Sequence, residues 1–235
     1  MQDFGDAFRV AFQLLTELDA DLVEIIGLSI RVSLTALLAA GLIGLANGAA
    51  LAVMRFPGRG AVVVIVNSFM GLPPVVVGLV IYMLLSNAGP LGFMELLYTP
   101  TAMIIAQAVL ITPIIAALSR QVIEDLHREY IDQFRSFCVP ARRAVMEMLW
   151  DARYSLLTVM LAGLGRAMAE VGAVIMVGGN INHLTRVMTT SIALETSKGE
   201  LALALALGIV LLLIAFAINA AVMGLNATAK RHAYA

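Results

Sequence analysis

Five apolar runs, separated by polar stretches, set the pattern of this chain. They cover about Val23 to Met54, Ala61 to Leu85, Pro100 to Leu118, Leu156 to Val177 and Leu201 to Asn226. Each is close to or longer than the roughly 20 residues that cross a bilayer as a helix. The first exceeds that length, so it should tilt or project. It carries Gly44 and Gly48, a small-residue pair that lets another helix approach closely. The second is interrupted by Leu72-Pro73-Pro74. Proline removes a backbone donor, so a break or kink near mid-membrane is predicted there. Asn67, Gln107 and Asn219 are isolated polar residues within runs, the usual pattern of an interhelical hydrogen bond. The Leu–Ala alternation of the fifth run has a strand's period, but the run's length favours a helix.

The polar stretches are as informative. In residues 1–21, Phe4, Phe8, Ala11, Leu15 and Leu18 make one stripe, with Asp3, Asp6, Glu17 and Asp19 at polar positions. This predicts an amphipathic segment lying along the membrane surface. Residues 119–155 form the long polar segment between the third and fourth runs. Ile123, Leu126, Tyr130, Phe134 and Phe137 make one helical stripe, and Ala141, Val145, Met148 and Ala152 another, with Cys138-Val139-Pro140 between them. Pro140 suits the first turn of a helix. Both helices are too short and polar to span, so a helical hairpin outside the bilayer is predicted. Residues 178–200 are too polar to cross, although Val187 to Leu194 has the character of a re-entrant turn. The chain therefore reads as one all-α transmembrane domain over residues 1–235.

Composition agrees: of 235 residues, 61% are hydrophobic and 13% charged, where soluble domains average about a quarter charged. The net charge of −1 gives no reason to expect a nucleic-acid partner. Its distribution gives an orientation. Ten of the 15 Lys and Arg residues, from Arg55 and Arg59 through the 119–155 segment to Lys230 and Arg231, lie on one side. The positive-inside rule makes that side cytoplasmic. Five spans then put the N-terminus outside and the hairpin, between helices 3 and 4, inside. The lone Cys138 excludes an internal disulfide framework, and His127, His183 and His232 are dispersed, so no metal site is expected. The first residues lack the basic region of a cleaved leader, and none is expected. A Gly-x4-Gly-Lys-Ser/Thr loop is absent from the sequence, so no ATP-hydrolysing site and no cofactor are expected in this chain.

One stretch concentrates the unusual features. Gly163 to Thr190 begins as an apolar helix that carries Arg166 and Glu170, then meets Gly178-Gly179-Asn180. Two glycines make helix continuation costly. Ionisable groups inside a span are expensive and point to function and to a partner. At i and i+4 they share a helix face. Two readings stay open: an ion bridge that locks helices together, or a functional pair.

The polar hairpin before the penultimate span resembles that of the permease subunit of type I ABC importers, whose usual signature is EAA, three residues, then Gly. Here Asp132-Gln133-Phe134 is followed by Cys138 in place of the glycine. Leu72-Pro73-Pro74-Val75-Val76-Val77-Gly78-Leu79 and the later Ser86 to Gly92 resemble the molybdate, tungstate and sulfate branch. GRAMAEVGAVIMVGGNI (Gly165 to Ile181), then Thr185-Arg186 and Thr189-Thr190, is very similar to tungstate importer permeases. The resemblance covers about Leu22 to Asn226.

It implies a subunit that moves tungstate inward, with molybdate or sulfate as alternative cargo. It implies two copies of a cytoplasmic ABC ATPase that binds the ATP, an extracytoplasmic tungstate-binding protein, a second copy of this chain, and surrounding lipid. A homodimer would place the pore on its twofold axis. The ATPase would dock on Tyr130, Asp132, Phe134, Phe137, Cys138 and Arg142. Burying an unpaired dianion is prohibitive, so the path needs donors: Asn180, Thr185, Thr189, Thr190 and the Gly178-Gly179 backbone as an anion nest. Arg186 would steer the anion at the outer mouth, or stand as a solvated loop arginine or a contact to the binding protein. Arg166 and Glu170 would form a gate or brace, and Pro73-Pro74 a constriction or a packing kink. From other classes, a passive anion channel would leave the hairpin without a purpose. An intramembrane hydrolase would need a nucleophile and base, or metal ligands, at membrane depth.

Overall fold

The apolar runs become helices, and in two places the helices depart from the runs. The computed structural model describes residues 20–233 together with 8, 9, 12, 13 and 16, and among these described residues there are helices and turns but no strand. The order is α1 (Ala20–Val53), α2 (Arg59–Phe69), α3 (Pro74–Leu85), a 3-10 turn (Gly92–Met94), α4 (Pro100–Ser136), α5 (Ala141–Asp151), α6 (Arg153–Met168), α7 (Gly172–Gly178), α8 (Met188–Lys198) and α9 (Leu201–Ala233). Three helices, α1, α4 and the Leu201–Ala220 part of α9, are long and apolar enough to cross a membrane. The α2–α3 and α6–α7 pairs are sharply bent, and counting each as one broken span brings the total to five. Of the amphipathic stripe expected near the N-terminus, Phe4, Ala11, Leu15 and Leu18 lie outside the described residues, while Phe8 is helical and exposed.

The first departure concerns the hairpin. Its first arm is not a separate helix: α4 continues through the polar segment to Ser136, 37 residues in all. No glycine or proline occurs between Leu118 and Ser136, so nothing local stops the helix. Arg120 and Arg128 both pair with Glu124 at i,i+4 spacing, which reinforces it. The second departure is a break at residues 169–171, inside the run expected to be continuous from Leu156 to Val177. The expected break at Leu72-Pro73-Pro74 is present, with Pro73 as N-cap and Pro74 as first residue of α3. Residues 188–198 form α8, with Met188, Thr190, Ser191 and Glu195 buried.

The chain divides into two compact units. The first comprises Met1–Ala36, Pro73–Gln107 and Gly165–Ile218. One of its apolar clusters joins Leu22 and Ile25 of α1, Met188 of α8 and Leu207 of α9. The second comprises Leu37–Leu72, Ala108–Leu164 and Asn219–Ala235. Here the glycine pair of α1 is matched by α4. A Cβ at Gly44 would lie 2.8 Å from Ile115 Cγ2, and one at Gly48 only 2.0 Å from Ser119 Oγ. The close-approach motif is thus used within the chain, and Ser119 Oγ donates to the Gly44 carbonyl at 3.4 Å. Beyond it, Ile123, Ala144, Met148, Ala152 and Leu156 pack on Ala49 and Ala52. Ile123 and Met148 are fully buried, each contributing about 1.5–3 kcal/mol of transfer free energy. That burial ties the hairpin to the end of α1.

Candidate functional site at the broken helix

The break between α6 and α7 is built around Glu170, which is buried although it carries a carboxylate. Its Oε2 accepts from Arg166 Nη1 at 2.7 Å. Its Oε1 accepts from the backbone N–H of Ala173 at 2.9 Å, in the first turn of α7. A carboxylate there satisfies a donor that the helix itself leaves open, and it meets the positive end of the helix dipole. The Glu170 carbonyl accepts from Thr189 Oγ1 at 2.8 Å. Glu170 therefore links the last turn of α6 to the start of α7 through its carboxylate, and fastens the break to the start of α8 through its backbone carbonyl. This explains why the apolar run does not continue as a single helix. The Glu170 side chain is only 2% exposed while that of Arg166 is 32% exposed, so the carboxylate is the buried member and depends on its partner.

The start of α3, in the same unit, adjoins this break. A Cβ on Gly172 would come within 3.0 Å of Val75 Cγ2, next to Pro74, and one on Gly78 within 2.8 Å of Ala173 Cα. The structure thus brings the Pro73-Pro74 start of α3 against the Glu170–Gly172 start of α7. Pro73 itself is exposed and Pro74 half-buried.

The loop after α7 is closed on itself. Gly179 has φ +72, a conformation that costs glycine little, and its N–H donates to the Ile175 carbonyl at 2.9 Å. A Gly179 donor is therefore engaged in capping α7 in this structure. Thr185, buried, donates to the Gly178 carbonyl at 2.5 Å and accepts from the Ile181 N–H at 2.9 Å. Thr190 Oγ1 lies 2.9 Å from Asn180 Oδ1 and 3.0 Å from the Val187 carbonyl. Asn180 Nδ2 reaches the Thr190 carbonyl at 3.4 Å. Asn180, Thr185, Thr189 and Thr190 come together as expected of neighbours in sequence, but their donors are engaged in holding the loop. Arg186 is different. No described carboxylate pairs with it, and its Nε is buried without a hydrogen-bond partner among the described residues.

Sequence reasoning did not assign Ser29 and Ser33, which are buried one turn apart on α1. Ser29 Oγ accepts from the Met188 N–H at 2.8 Å, starting α8. With Gln107, Thr189 and Met168 they line a cavity of about 10 Å³, the space of a single water molecule. Gln107 makes the expected interhelical bond, to the Ala167 carbonyl at 3.1 Å. The i,i+4 serine pair was the available signal. His183, read as dispersed, meets Glu24 at 2.8 Å, with Asp21 nearby. The hydrogen bond to Glu24 and that carboxylate's charge raise the imidazole's pKa above its ordinary value.

The residues expected to meet an ATPase fall into two groups in the second unit. Tyr130 and Phe134 brace the hairpin: Tyr130 donates to Asp151 Oδ2 at 2.8 Å, which raises its phenol pKa, and its ring meets Phe134 edge-on. Asp132, Phe137, Cys138 and Arg142 are exposed around the turn. Cys138 has φ +50, so the position where the signature has glycine does adopt the left-handed conformation that glycine takes freely.

These features, helical throughout the described residues, define a multi-pass integral membrane protein with a polar helical hairpin and a charged joint in a broken span. Residues 32–230 match the family described as binding-protein-dependent transport system inner membrane component, and the chain belongs to that family: it is an ABC transporter permease subunit and not itself an enzyme. It is 39% identical over 226 residues, 96% of this chain and 99% of the relative, to the tungstate uptake system permease protein TupB of Peptoclostridium acidaminophilum. It is 43% identical over 155 residues, 66% of this chain and 65% of the relative, to the protein of the same name from Campylobacter jejuni. A probable anion ABC transporter permease protein of Haloferax volcanii is 36% identical over 204 residues, 85% of this chain and 88% of the relative.

Proposed function

We propose that this chain is the membrane subunit of an importer that carries tungstate into the cytoplasm. The observation that carries this reading is the similarity to a tungstate uptake permease along 96% of the chain, which includes the Arg166–Glu170 joint and the Thr185–Thr190 loop. Membership of a binding-protein-dependent transport family implies an ATPase and a substrate-binding protein as partners. In this proposal a separate ATPase, in two copies, binds and hydrolyses ATP, and this chain holds no cofactor. Two copies of the chain surround the pathway on a twofold axis. Five spans put the N-terminus outside and the α4–α5 hairpin in the cytoplasm, in keeping with the excess of Lys and Arg on that side.

In the mechanism, Phe137, Cys138, Asp132 and Arg142 meet the ATPase, while Tyr130 and Phe134 keep the hairpin rigid enough to transmit its closure. Phe137 is 80% exposed and Trp150 69% exposed, and a polar hairpin that presents such aromatics is suited to docking. The Arg166–Glu170 pair stays closed in the resting state, because a permanently free arginine would retain a dianion. Pro73-Pro74 and the Gly178–Thr190 loop move with that joint, releasing the donors of Asn180, Thr185, Thr189 and Thr190 as the anion passes. Arg186, which has no carboxylate partner among the described residues, steers the anion at the outer mouth.

Elemental analysis of cells with and without the gene, at trace tungstate with excess molybdate or sulfate, tests the cargo. Tungsten accumulation that requires the gene and resists both competitors is the expected result. Abolition by either competitor would keep the importer and overturn the cargo. A broader anion specificity is the second reading, favoured by the similarity to the Haloferax volcanii anion permease. A Glu170→Gln protein with unchanged assembly and unchanged transport would remove the joint from the mechanism.

A further inference from the structure

The second unit contains two groups of cations that are handled differently. Arg59, Arg120 and Arg128 converge on one carboxylate, Glu124, and Arg59 also donates to the Leu51 carbonyl at 2.7 Å. Arg55 and Arg135 have no ion-pair partner among the described residues. Burial, and then the charges of Arg55 and Arg135, hold the His127 imidazole below its ordinary pKa. Arg55, His127 and Arg135 line one open cavity of about 480 Å³, between the residues after α1 and the polar extension of α4. Val53, Ile131 and Phe134 supply its apolar wall, and Cys138 lies at the turn beside it.

A cavity edged by two unpaired guanidinium groups and an imidazole, with no carboxylate in its lining, is complementary to an anion. Arginine's fork of donors suits phosphate-type oxygens in particular. Glu124 is the nearby acid that raises the His127 pKa, but three arginines already share it, so the field in the cavity stays positive. We infer that Arg55, His127 and Arg135 form a binding site for a tetrahedral oxyanion of the phosphate type, separate from the Glu170 joint. Two sources carry that chemistry. A phospholipid headgroup would place its phosphate on the arginines and its glycerol against Val53 and Phe134, as basic pockets beside membrane helices do. A free oxyanion in the same aqueous compartment would use the arginines alone.

The test uses the full transporter purified in detergent. Native mass spectrometry of the wild type is expected to retain an anionic phospholipid after exchange into lipid-free detergent. In R55Q/R135Q its occupancy is expected to fall at least tenfold. R128Q, which removes a surface charge paired with Glu124, is expected to match the wild type and so controls for nonspecific attraction. Equal melting temperatures exclude misfolding as the cause, and R55K/R135K, which keeps charge without the planar fork, is expected to be intermediate. If lipid occupancy is the same in all variants but equilibrium dialysis against inorganic phosphate or tungstate shows one anion fewer per chain in R55Q/R135Q, the site stands and its ligand is the free anion. If neither lipid nor free anion differs between wild type and R55Q/R135Q, the assignment is overturned.

Discussion

Glu170 in the first unit and Glu124 in the second are both glutamates bound to arginine, and they have opposite economies. Glu124, with a side chain 22% exposed, is shared among Arg59, Arg120 and Arg128. Glu170, 2% exposed, has Arg166 as its salt-bridge partner, and it also caps α7. Shared charges near solvent tolerate the loss of one member, since water replaces it and exposed pairs are worth about 0–1 kcal/mol. A buried carboxylate with one cation has no such reserve, because removing the cation strands the carboxylate away from water. The difference separates a region that can vary in detail from one whose geometry is tightly determined.

The largest expected effect therefore lies at the joint. Arg166→Ala, which leaves the buried carboxylate unpaired, should destabilise the purified protein by about 3–5 kcal/mol in detergent unfolding. Glu170→Ala should cost less because the Arg166 side chain is 32% exposed, and Glu170→Gln less still because an amide oxygen accepts from the Ala173 N–H. Equal melting temperatures for Arg166→Ala and wild type would break the comparison. The second unit should instead be sensitive to shape. Gly48→Ala would place its Cβ 2.0 Å from Ser119 Oγ and 2.6 Å from the Ala116 carbonyl, and such overpacking costs about 1–3 kcal/mol. A neutral Gly48→Ala would mean that α1 and α4 separate easily.

Cys138→Gly should move stability the other way, by about 1 kcal/mol, because φ +50 penalises a side chain and not glycine. Chemical denaturation of the two proteins side by side reads this, and a loss of stability would show that the cysteine side chain packs. Arg128→Gln should change stability by no more than about 1 kcal/mol; a larger change would make the Glu124 group as exacting as the joint. The smallest effect concerns His183, whose pKa is raised by Glu24. A raised folded-state value means that the pair contributes fully below the ordinary pKa of about 6.5 and fades as pH rises through the higher folded value. A melting profile from pH 6 upward should show that decline, and Glu24→Gln should flatten it.

Much of the architecture follows from local sequence. Run length fixes where helices can span, Pro73-Pro74 fixes one break, and i,i+4 spacing fixes the Arg166–Glu170 contact, because each depends on neighbours along one chain segment. The hairpin's turn at Cys138-Val139-Pro140 was legible for the same reason. The continuity of α4 to Ser136 was not, because polar composition argues against a span without arguing against a helix. The break at Glu170 escaped periodicity as well, since an apolar stripe reports which residues avoid water and not where a carboxylate will cap the next helix.

What the sequence determined by itself is an all-helical membrane protein with a polar hairpin and one charged pair inside an apolar run. Tertiary structure alone decided that Gly48 meets Ser119, that Ser29 starts α8, and that His183 meets Glu24 across 159 positions. It also decided that Arg55, His127 and Arg135 share a cavity without a carboxylate. The physical reason is that each of these depends on packing between segments remote in sequence. Hydrophobic patterning selects the faces that come together, but the polar atoms that then meet are set by how closely the backbones can approach.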